Sequence, residues 1–244
     1  MPAGRHRAGV KLLLTCEHGG YTVPDAYRAR FSGARDVLRS HRGWDPGALR
    51  LFERMRPAAD AAYAATVTRL LVELNRSQGH PSLFSEYTRG LDATERTALL
   101  DAHYHPFRRG VAARVERWMA DGAGVLHVSV HSFTPVLDGR RRELDIGLLY
   151  DPGHGDERAL AAAWRRAILA ADPVWRVRSN QPYRGVADGQ TRWLRAAFGP
   201  RYCGVELEVR SDHLRRAPTV ARLATLLTDT LRPLLASWTP GARG

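Results

Sequence analysis

Cysteine is scarce in the sequence, and long apolar runs are missing from it. The 244 residues include only two cysteines, Cys16 and Cys203, which excludes a disulfide-rich scaffold and a zinc site built from cysteines. We expect both to be free thiols, with a nucleophilic Cys16 as the open alternative. The longest apolar stretches, such as residues 10–15 and 125–130, fall short of the roughly 20 residues that a membrane-spanning helix needs. No membrane partner is therefore predicted.

The sequence also lacks the features of a secretory signal. The apolar run that follows Val10 is interrupted by Cys16, Glu17 and His18, and no small-residue cleavage site comes after it. This pattern predicts a cytoplasmic protein.

Lysine is almost absent, although the chain is strongly basic. Lysine and arginine together number 37, of which only Lys11 is lysine, and the formal net charge is +12. A basic surface can bind nucleic acid because cationic side chains neutralise phosphates. The arginines are scattered, however, and no basic tail, recognition helix or zinc finger accompanies them, so we expect no nucleic-acid partner. The positive charge instead favours acidic small-molecule substrates.

The remaining composition is that of an ordinary globular domain, with 44% hydrophobic and 25% charged residues. Apolar, β-branched runs predict strands, and apolar residues at helical spacing predict helices between them. Residues 78–90 show neither pattern and are predicted to form an irregular loop. The predicted strands cover residues 10–15, 66–74, 125–130, 144–150, 175–178 and 205–209, and the predicted helices cover residues 46–55, 92–122, 157–171 and 217–235.

Strands that alternate with helices predict an α/β fold, with a mixed, mostly parallel sheet flanked by helices in a single three-layer domain. No linker-like stretch interrupts the chain, so we assign the domain to residues 8–238. Only the first few residues and the segment after Trp238 are expected to be loose. Within the long predicted helix, Asp92 and Glu95 match a capping box, and Pro106 is expected to kink or divide the helix.

Three polar residues stand where predicted strands or loops end: His18, Asp45 and His131. Two imidazoles and one carboxylate suffice to hold a catalytic zinc ion and leave a fourth position for water. The alternatives are that the histidines are ordinary hydrogen-bonded residues and that Asp45, which precedes Pro46, is the N-cap of the next helix. Seven further histidines are candidates, of which the strand residue His127 is expected to be structural: His41, His80, His103, His105, His127, His154 and His213.

Two glutamates alternate along a predicted strand, Glu206 and Glu208, and therefore point to the same face of the sheet. A carboxylate on a central strand is costly unless it is paired or functional, and one of the two could serve as a general base. The alternative is an edge strand with a solvated glutamate face.

Eight short motifs follow one another along the chain from residue 15 to residue 212. They are Thr15-Cys-Glu-His-Gly-Gly, His41-Arg-Gly-Trp-Asp-Pro-Gly-Ala48, Leu74-Asn-Arg76, Tyr104-His-Pro-Phe107, Val130-His-Ser-Phe-Thr-Pro135, Gly147-Leu-Leu-Tyr-Asp151, Asn180-Gln-Pro-Tyr183 and Val205-Glu-Leu-Glu-Val-Arg-Ser-Asp212. Each motif is weak alone, but the series is specific. Together they resemble the N-formylglutamate amidohydrolase family over most of the chain.

The resemblance implies a distant relationship to zinc carboxypeptidases and aspartoacylases, with their phosphorylase/hydrolase-like α/β fold and one zinc ion per chain. It makes His18 and His131 the imidazole ligands. The carboxypeptidase pattern has a carboxylate three residues after the first histidine, and Tyr21 occupies that place here. The third ligand is therefore expected to be Asp45, with Glu17 as the alternative.

The resemblance also implies the roles of the remaining site residues. Glu208 becomes the general base, with Glu206 next in line. A guanidinium can bind a carboxylate through two parallel hydrogen bonds, which suits the Asn-Arg pair to hold the substrate carboxylate. The expected substrate-binding residues are Asn75, Arg76, Tyr183 and Arg184.

The predicted function is zinc-dependent hydrolysis of the amide C–N bond in a small acidic N-acyl amino acid, for which the resemblance implies N-formyl-L-glutamate. One alternative is a carboxypeptidase-like metallopeptidase that uses the same site. Another is a non-catalytic binding protein on the same fold. The oligomeric state is not predicted.

Overall fold

A computed structural model describes residues 9–238, so the predictions for the loose chain ends lie outside the described residues. Within this range the strands are β1 (Val10–Cys16), β2 (Ala61–Ala64), β3 (Gly124–Phe133), β4 (Val136–Leu137), β5 (Arg140–Arg141), β6 (Ile146–Leu149), β7 (Val177–Ser179) and β8 (Tyr202–Arg210). The α-helices are α1 (Arg35–Arg39), α2 (Ala48–Met55), α3 (Ala93–Leu99), α4 (His105–Ala120), α5 (Gly155–Ala171), α6 (Gln190–Phe198) and α7 (Ala217–Ser237).

Six of the strands form one mixed sheet in the order β2-β1-β3-β8-β6-β7. Neighbouring strands from β2 to β8 run parallel, β6 runs antiparallel to β8, and β7 runs parallel to β6. The strands β4 and β5 form a separate small hairpin. The predicted mixed, mostly parallel sheet is confirmed.

Helices cover both faces of this sheet, because its central strands carry apolar residues on both sides. Leu12 and Leu14 of β1 face a large core that includes residues of α2, α5 and α7. Leu13 faces the opposite side, where it packs with residues of α4 and α6. This alternation gives three layers, as predicted.

The second of these faces also carries a row of polar residues. On β3, Leu126, Val128 and Val130 belong to the large core, so that the intervening residues point to the opposite face. The same alternation along β8 places Glu206 and Glu208 on that face. Polar side chains from three adjacent strands thus meet near the carboxyl ends of β1, β3 and β8, where open α/β sheets bind ligands.

The predicted strand at residues 66–74 is wrong. This segment is a series of turns, in which the amide of Arg69 donates to the carbonyl of Gly43 and the amide of Glu73 donates to the carbonyl of Leu83. The strand that pairs with β1 is β2, which precedes it. A short apolar run fits a buried strand and a buried turn equally well, so its pattern alone does not separate them. Helix α6 was not predicted.

The long helix predicted over residues 92–122 is divided, as Pro106 indicates. Asp92 and Glu95 form the predicted capping box at the start of α3. A π-helical turn at Leu100–Tyr104 joins α3 to α4, and Pro106 lies in the first turn of α4. Proline has no amide hydrogen to donate, which favours a local change in the hydrogen-bond ladder at this point.

No helix within residues 9–238 combines the length and the apolar character needed to cross a membrane.

Candidate metal and catalytic site

A pocket of about 470 Å³ opens where the polar residues of the sheet meet the surrounding loops. All nine predicted site residues line it: His18, Asp45, Asn75, Arg76, His131, Tyr183, Arg184, Glu206 and Glu208. The structure therefore brings together residues that are spread over most of the chain.

His18, Asp45 and His131 form a compact buried group at the base of the pocket. Each offers a donor atom, and these atoms lie within 4.8 Å of one another. Oδ2 of Asp45 lies 2.9 Å from Nδ1 of His131 and 3.4 Å from Nδ1 of His18. The amide of Asp45 also donates to the carbonyl of His18 at 3.0 Å, which fixes the loop to the end of β1. The side chain of Asp45 forms no cap for α2, whose N-cap is Gly47, so the N-cap alternative is wrong.

The outer nitrogen of each imidazole is held by a further polar group. Nε2 of His18 contacts the carboxylate of Glu73. Nε2 of His131 lies 2.8 Å from Oγ of Ser129 and 3.4 Å from Oε2 of Glu17. Both rings are thereby oriented with Nδ1 towards Asp45. Histidine ligands of metals commonly have this kind of outer partner, which fixes the ring and its tautomer.

Arg69 connects two of these acidic groups. Its Nε donates to Oε2 of Glu73 at 2.8 Å, and its Nη1 donates to Oδ1 of Asp45 at 3.2 Å. Oδ2 of Asp45 is left facing the two histidines. Sequence reasoning missed both Arg69 and Glu73 because they lie in the segment that was predicted to be a strand.

Glu17, the alternative carboxylate ligand, lies behind His131 and outside the pocket lining. Its two carboxylate oxygens accept hydrogen bonds from Thr15 at 2.6 Å and Ser129 at 2.7 Å. Tyr21, in the position where the carboxypeptidase pattern has a carboxylate, is 39% exposed and packs against Trp44. Among the described residues, the donor group with metal-binding geometry includes Asp45 and neither of these two.

The electrostatics at the base of the pocket favour positive charge. Burial raises the pKa of Asp45, but the charge of His18 and the hydrogen bond from His131 outweigh it and hold the pKa well below its ordinary value. Burial lowers the pKa of His131, but the hydrogen bond to Asp45 and the negative charge of Asp45 raise it to about 10. A field that favours a proton on the imidazoles also favours a bound cation.

Glu208 of β8 lines the pocket together with His18, Asp45 and His131. Its Oε2 is buried and has no hydrogen-bond partner within residues 9–238. Burial raises the pKa of Glu208 to about 7, against the opposing charge of His131. Glu206 is engaged instead, because its Oε1 accepts a hydrogen bond from Thr191 at 2.8 Å. Since β8 lies between β3 and β6, the alternative of a solvated edge strand is wrong.

The turn that carries Asn75 and Arg76 is fixed from several sides. Oδ1 of Asn75 accepts a hydrogen bond from the amide of Gln190 at 2.7 Å, and Nη1 of Arg76 donates to the carbonyls of Asn75 and Asp188. Tyr104, at the π-helical turn, donates to the carbonyl of Arg76 at 2.8 Å.

Arg108 of α4 supports the same turn, and sequence reasoning did not find it. Its Nη1 donates to the carbonyl of Leu74 at 3.0 Å and to that of Arg76 at 3.1 Å. The guanidinium is buried between the rings of Tyr104 and Trp193 and forms no ion pair with any residue of the described range. Burying an unpaired charge is costly, which points to a positioning role.

The other histidine and cysteine alternatives have structural explanations. Nε2 of His127 lies 2.7 Å from Oγ1 of Thr15 and its Nδ1 lies 2.6 Å from Oη of Tyr202, so His127 is the buried structural residue that the sequence predicted. Cys16 and Cys203 are free and buried. Burial raises the pKa of the Cys16 thiol well above its ordinary value, which does not suit a nucleophile.

In this three-layer α/β fold, buried imidazole and carboxylate groups meet at the strand ends, and these are donor types that metal-dependent hydrolytic sites use. The chain belongs to the N-formylglutamate amidohydrolase family, whose family model matches residues 10–214. No curated protein matches the sequence.

Two solved structures are similar to the chain over nearly its whole length. The gene product Atu2144 from Agrobacterium tumefaciens is 33% identical, with a TM-score of 0.80, over 96% of this chain and 94% of that one. An N-formylglutamate amidohydrolase from Ralstonia eutropha JMP134 is 19% identical, with a TM-score of 0.68, over 93% of this chain and 94% of that one. At that identity the second likeness supports the fold alone.

Proposed function

We propose that the protein is a zinc-dependent amidohydrolase that cleaves the amide C–N bond of a small acidic N-acyl amino acid such as N-formyl-L-glutamate. The observation that carries this proposal is the convergence of His18, Asp45 and His131 beside a buried carboxylate oxygen of Glu208 that has no partner within the described chain. Membership of the amidohydrolase family supports the reaction class.

The donor group fits a zinc ion by its chemistry. Two imidazole nitrogens and one carboxylate oxygen are ligands that zinc commonly takes in hydrolytic sites, with an open position for water or substrate. The contacts of Glu73 to His18 and of Ser129 to His131 supply the outer partners that such ligands need. When bound, zinc supplies Lewis-acid chemistry, since it polarises an amide carbonyl and makes water more acidic.

Glu208 is the proposed general base. The free Oε2 accepts the proton of the attacking water and then returns it to the leaving nitrogen, so that a single carboxyl group serves both steps. A pKa of about 7 suits a group that must both take and give a proton near neutral pH. Glu206 is the second candidate for the general base, because its Oε1 already accepts a hydrogen bond from Thr191.

Arg76 and Arg184 are the proposed carboxylate-binding groups. Arg76 uses Nη1 for two backbone carbonyls, which holds the guanidinium in place and leaves its other N–H groups for substrate. The side chain of Arg184 lines the pocket and makes no hydrogen bond or ion pair with residues 9–238. Fixing the substrate carboxylates in this way orients the amide above the donor group and lowers the entropic cost of the reaction.

The test is an assay of formate release from N-formyl-L-glutamate by the protein with zinc, with a chelator, and with zinc restored after chelation. We expect hydrolysis that is lost with the chelator and recovered with zinc. Release of C-terminal residues from peptides, with N-formyl and other N-acyl amino acids spared, would support the metallopeptidase alternative. Binding without any turnover would support the non-catalytic alternative.

A further inference from the structure

One wall of the pocket is apolar. Four residues line it: Phe133 at the end of β3, Leu137 of β4, and Tyr183 and Ala187 of the loop between β7 and α6. We call these four residues the apolar wall. Phe133 is buried, whereas Leu137 is 37% exposed and Tyr183 is 46% exposed. The apolar surface therefore extends from the interior of the pocket to its mouth.

Several of the exposed apolar side chains lie in the two segments that carry this wall. Within residues 9–238, seven large apolar side chains are exposed. Leu137 and Tyr183 are two of them, and Val136 and Val186 lie in the same two segments. An exposed apolar patch that continues into a pocket is typical of a ligand-binding surface.

The wall is held in place before any ligand binds. Nη1 of Arg142 donates to Oη of Tyr183 at 3.1 Å. The same guanidinium lies 5.1 Å from the ring centre of Tyr183 and 5.6 Å from that of Phe133. These contacts join the segment after the β4–β5 hairpin to the loop, so the two parts of the wall are positioned together.

The same loop connects the apolar wall to the carboxylate-binding turn. Tyr183 belongs to the wall, and five residues later Oδ2 of Asp188 accepts hydrogen bonds from the amide of Ser77 at 2.8 Å and from its hydroxyl at 3.0 Å. The carbonyl of Asp188 also accepts from Arg76. The loop thus links the apolar wall to Arg76, and both line the same pocket as His18, Asp45 and His131.

We infer that the acyl group removed by this enzyme is larger and more apolar than formyl: an aliphatic or aromatic acyl group of several carbons that packs against the apolar wall. A formyl group has no carbon beyond the carbonyl with which to contact this wall. The inference rests on the proposed function and narrows its substrate class. In the reaction the amide C–N bond breaks, the oxygen of water joins the acyl carbon, and the products are a carboxylic acid and the free amino acid.

The test compares kcat/KM for the N-formyl, N-acetyl, N-hexanoyl and N-benzoyl derivatives of L-glutamate. Because each well-packed methylene contributes to transition-state binding, we expect the hexanoyl or benzoyl compound to exceed the formyl compound by at least tenfold. Highest activity on the formyl compound would overturn the inference and leave the proposed function standing. Turnover of none of the four compounds would contradict the proposed function and the inference with it.

A variant tests whether the preference for larger acyl groups depends on the apolar wall. Leu137→Ser, on an exposed hairpin, is expected to reduce the hexanoyl-to-formyl ratio of kcat/KM at least fivefold. Val174→Ser is the matched control, because Val174 is exposed and does not line the pocket, and the wild-type ratio is expected there. An unchanged ratio in Leu137→Ser would overturn the inference.

Discussion

Glu73 contacts Nε2 of His18, and the opposite nitrogen of the same ring faces Asp45. Glu73 is in turn paired with Arg69, which also reaches the other oxygen of Asp45. A closed set of contacts therefore orients one imidazole and the one carboxylate of the donor group. Arg69 and Glu73, which complete these contacts, lie in a buried turn and not in a strand of the sheet.

Replacing Glu73 should weaken zinc binding. Glu73→Gln removes the negative charge that holds both His18 and Arg69, and loss of such an outer partner typically lowers metal affinity about 10- to 100-fold. Competition with a chromophoric chelator measures the change. Glu53→Gln is the matched control, because Glu53 forms an exposed pair with Arg56 three residues away and does not line the pocket. Equal zinc affinity in both variants would contradict the role of Glu73.

Replacing Glu208 should abolish most of the hydrolysis and leave zinc binding intact. Glu208→Gln keeps the size of the side chain but cannot take a proton, so we expect kcat to fall about 10²- to 10⁴-fold. Glu206→Gln should have a much smaller effect, since Glu206 is engaged by Thr191. Steady-state kinetics on both variants, with zinc content measured in parallel, separates the two glutamates. A larger loss in Glu206→Gln would reverse their assignment.

Replacing Arg108 should raise KM more than it lowers kcat. Arg108→Met removes the hydrogen bonds to the carbonyls of Leu74 and Arg76, each worth about 1.5–3 kcal/mol for a charged donor, and so loosens the proposed carboxylate-binding turn. We expect KM for an N-acyl glutamate to rise about tenfold, which corresponds to about 1.4 kcal/mol. The exposed neighbour Arg109→Met serves as the control. A fall in kcat with unchanged KM would be inconsistent with this positioning role.

Asp145 should make the folded protein sensitive to acid. Burial raises the pKa of Asp145, but hydrogen bonds from Arg176 and His213 outweigh it and hold the pKa well below its ordinary value, and Arg210 also pairs with this carboxylate. Its contribution to the free energy of unfolding is therefore complete above the unfolded-state pKa of about 4 and is lost as the pH falls further.

Urea unfolding of Asp145→Asn tests this dependence. At pH 7 we expect a loss of about 3 kcal/mol, because the variant leaves buried Arg210 without one of its partners. The difference from wild type should shrink as the pH is lowered below about 4. Asp25→Asn, which affects only an exposed pair with Arg28, should show no such trend. A difference that stays constant with pH would rule out the proposed coupling.

Much of the sheet and of the pocket could be predicted from the sequence. Strands that are buried on both faces give continuous apolar runs, and polar residues at their ends identify His18 and His131. The alternation along a predicted strand identified Glu206 and Glu208, and the eight motifs added Asn75 and Arg76 and favoured Glu208 as the base.

The supporting residues could not be predicted, for two physical reasons. Arg69 and Glu73 lie in an apolar turn whose backbone bonds go to distant loops, and such a segment has the same pattern as a buried strand. Arg108 lies on a helix rich in arginine, and only its burial between Tyr104 and Trp193 distinguishes it from exposed neighbours. The roles of Arg69, Glu73 and Arg108 all depend on tertiary contacts, which leave no local pattern in the sequence.

The proposed zinc site is tested most directly by elemental mass spectrometry of the purified protein, alongside His18→Ala, His131→Ala and His41→Ala. His41 lines the pocket but is exposed and outside the donor group, so it serves as the control. We predict close to one zinc ion per chain in the wild type and in His41→Ala, and loss of zinc in the other two variants while they remain folded. Absence of bound metal in the wild type after zinc is supplied, or full zinc content in folded His18→Ala and His131→Ala, would contradict the site.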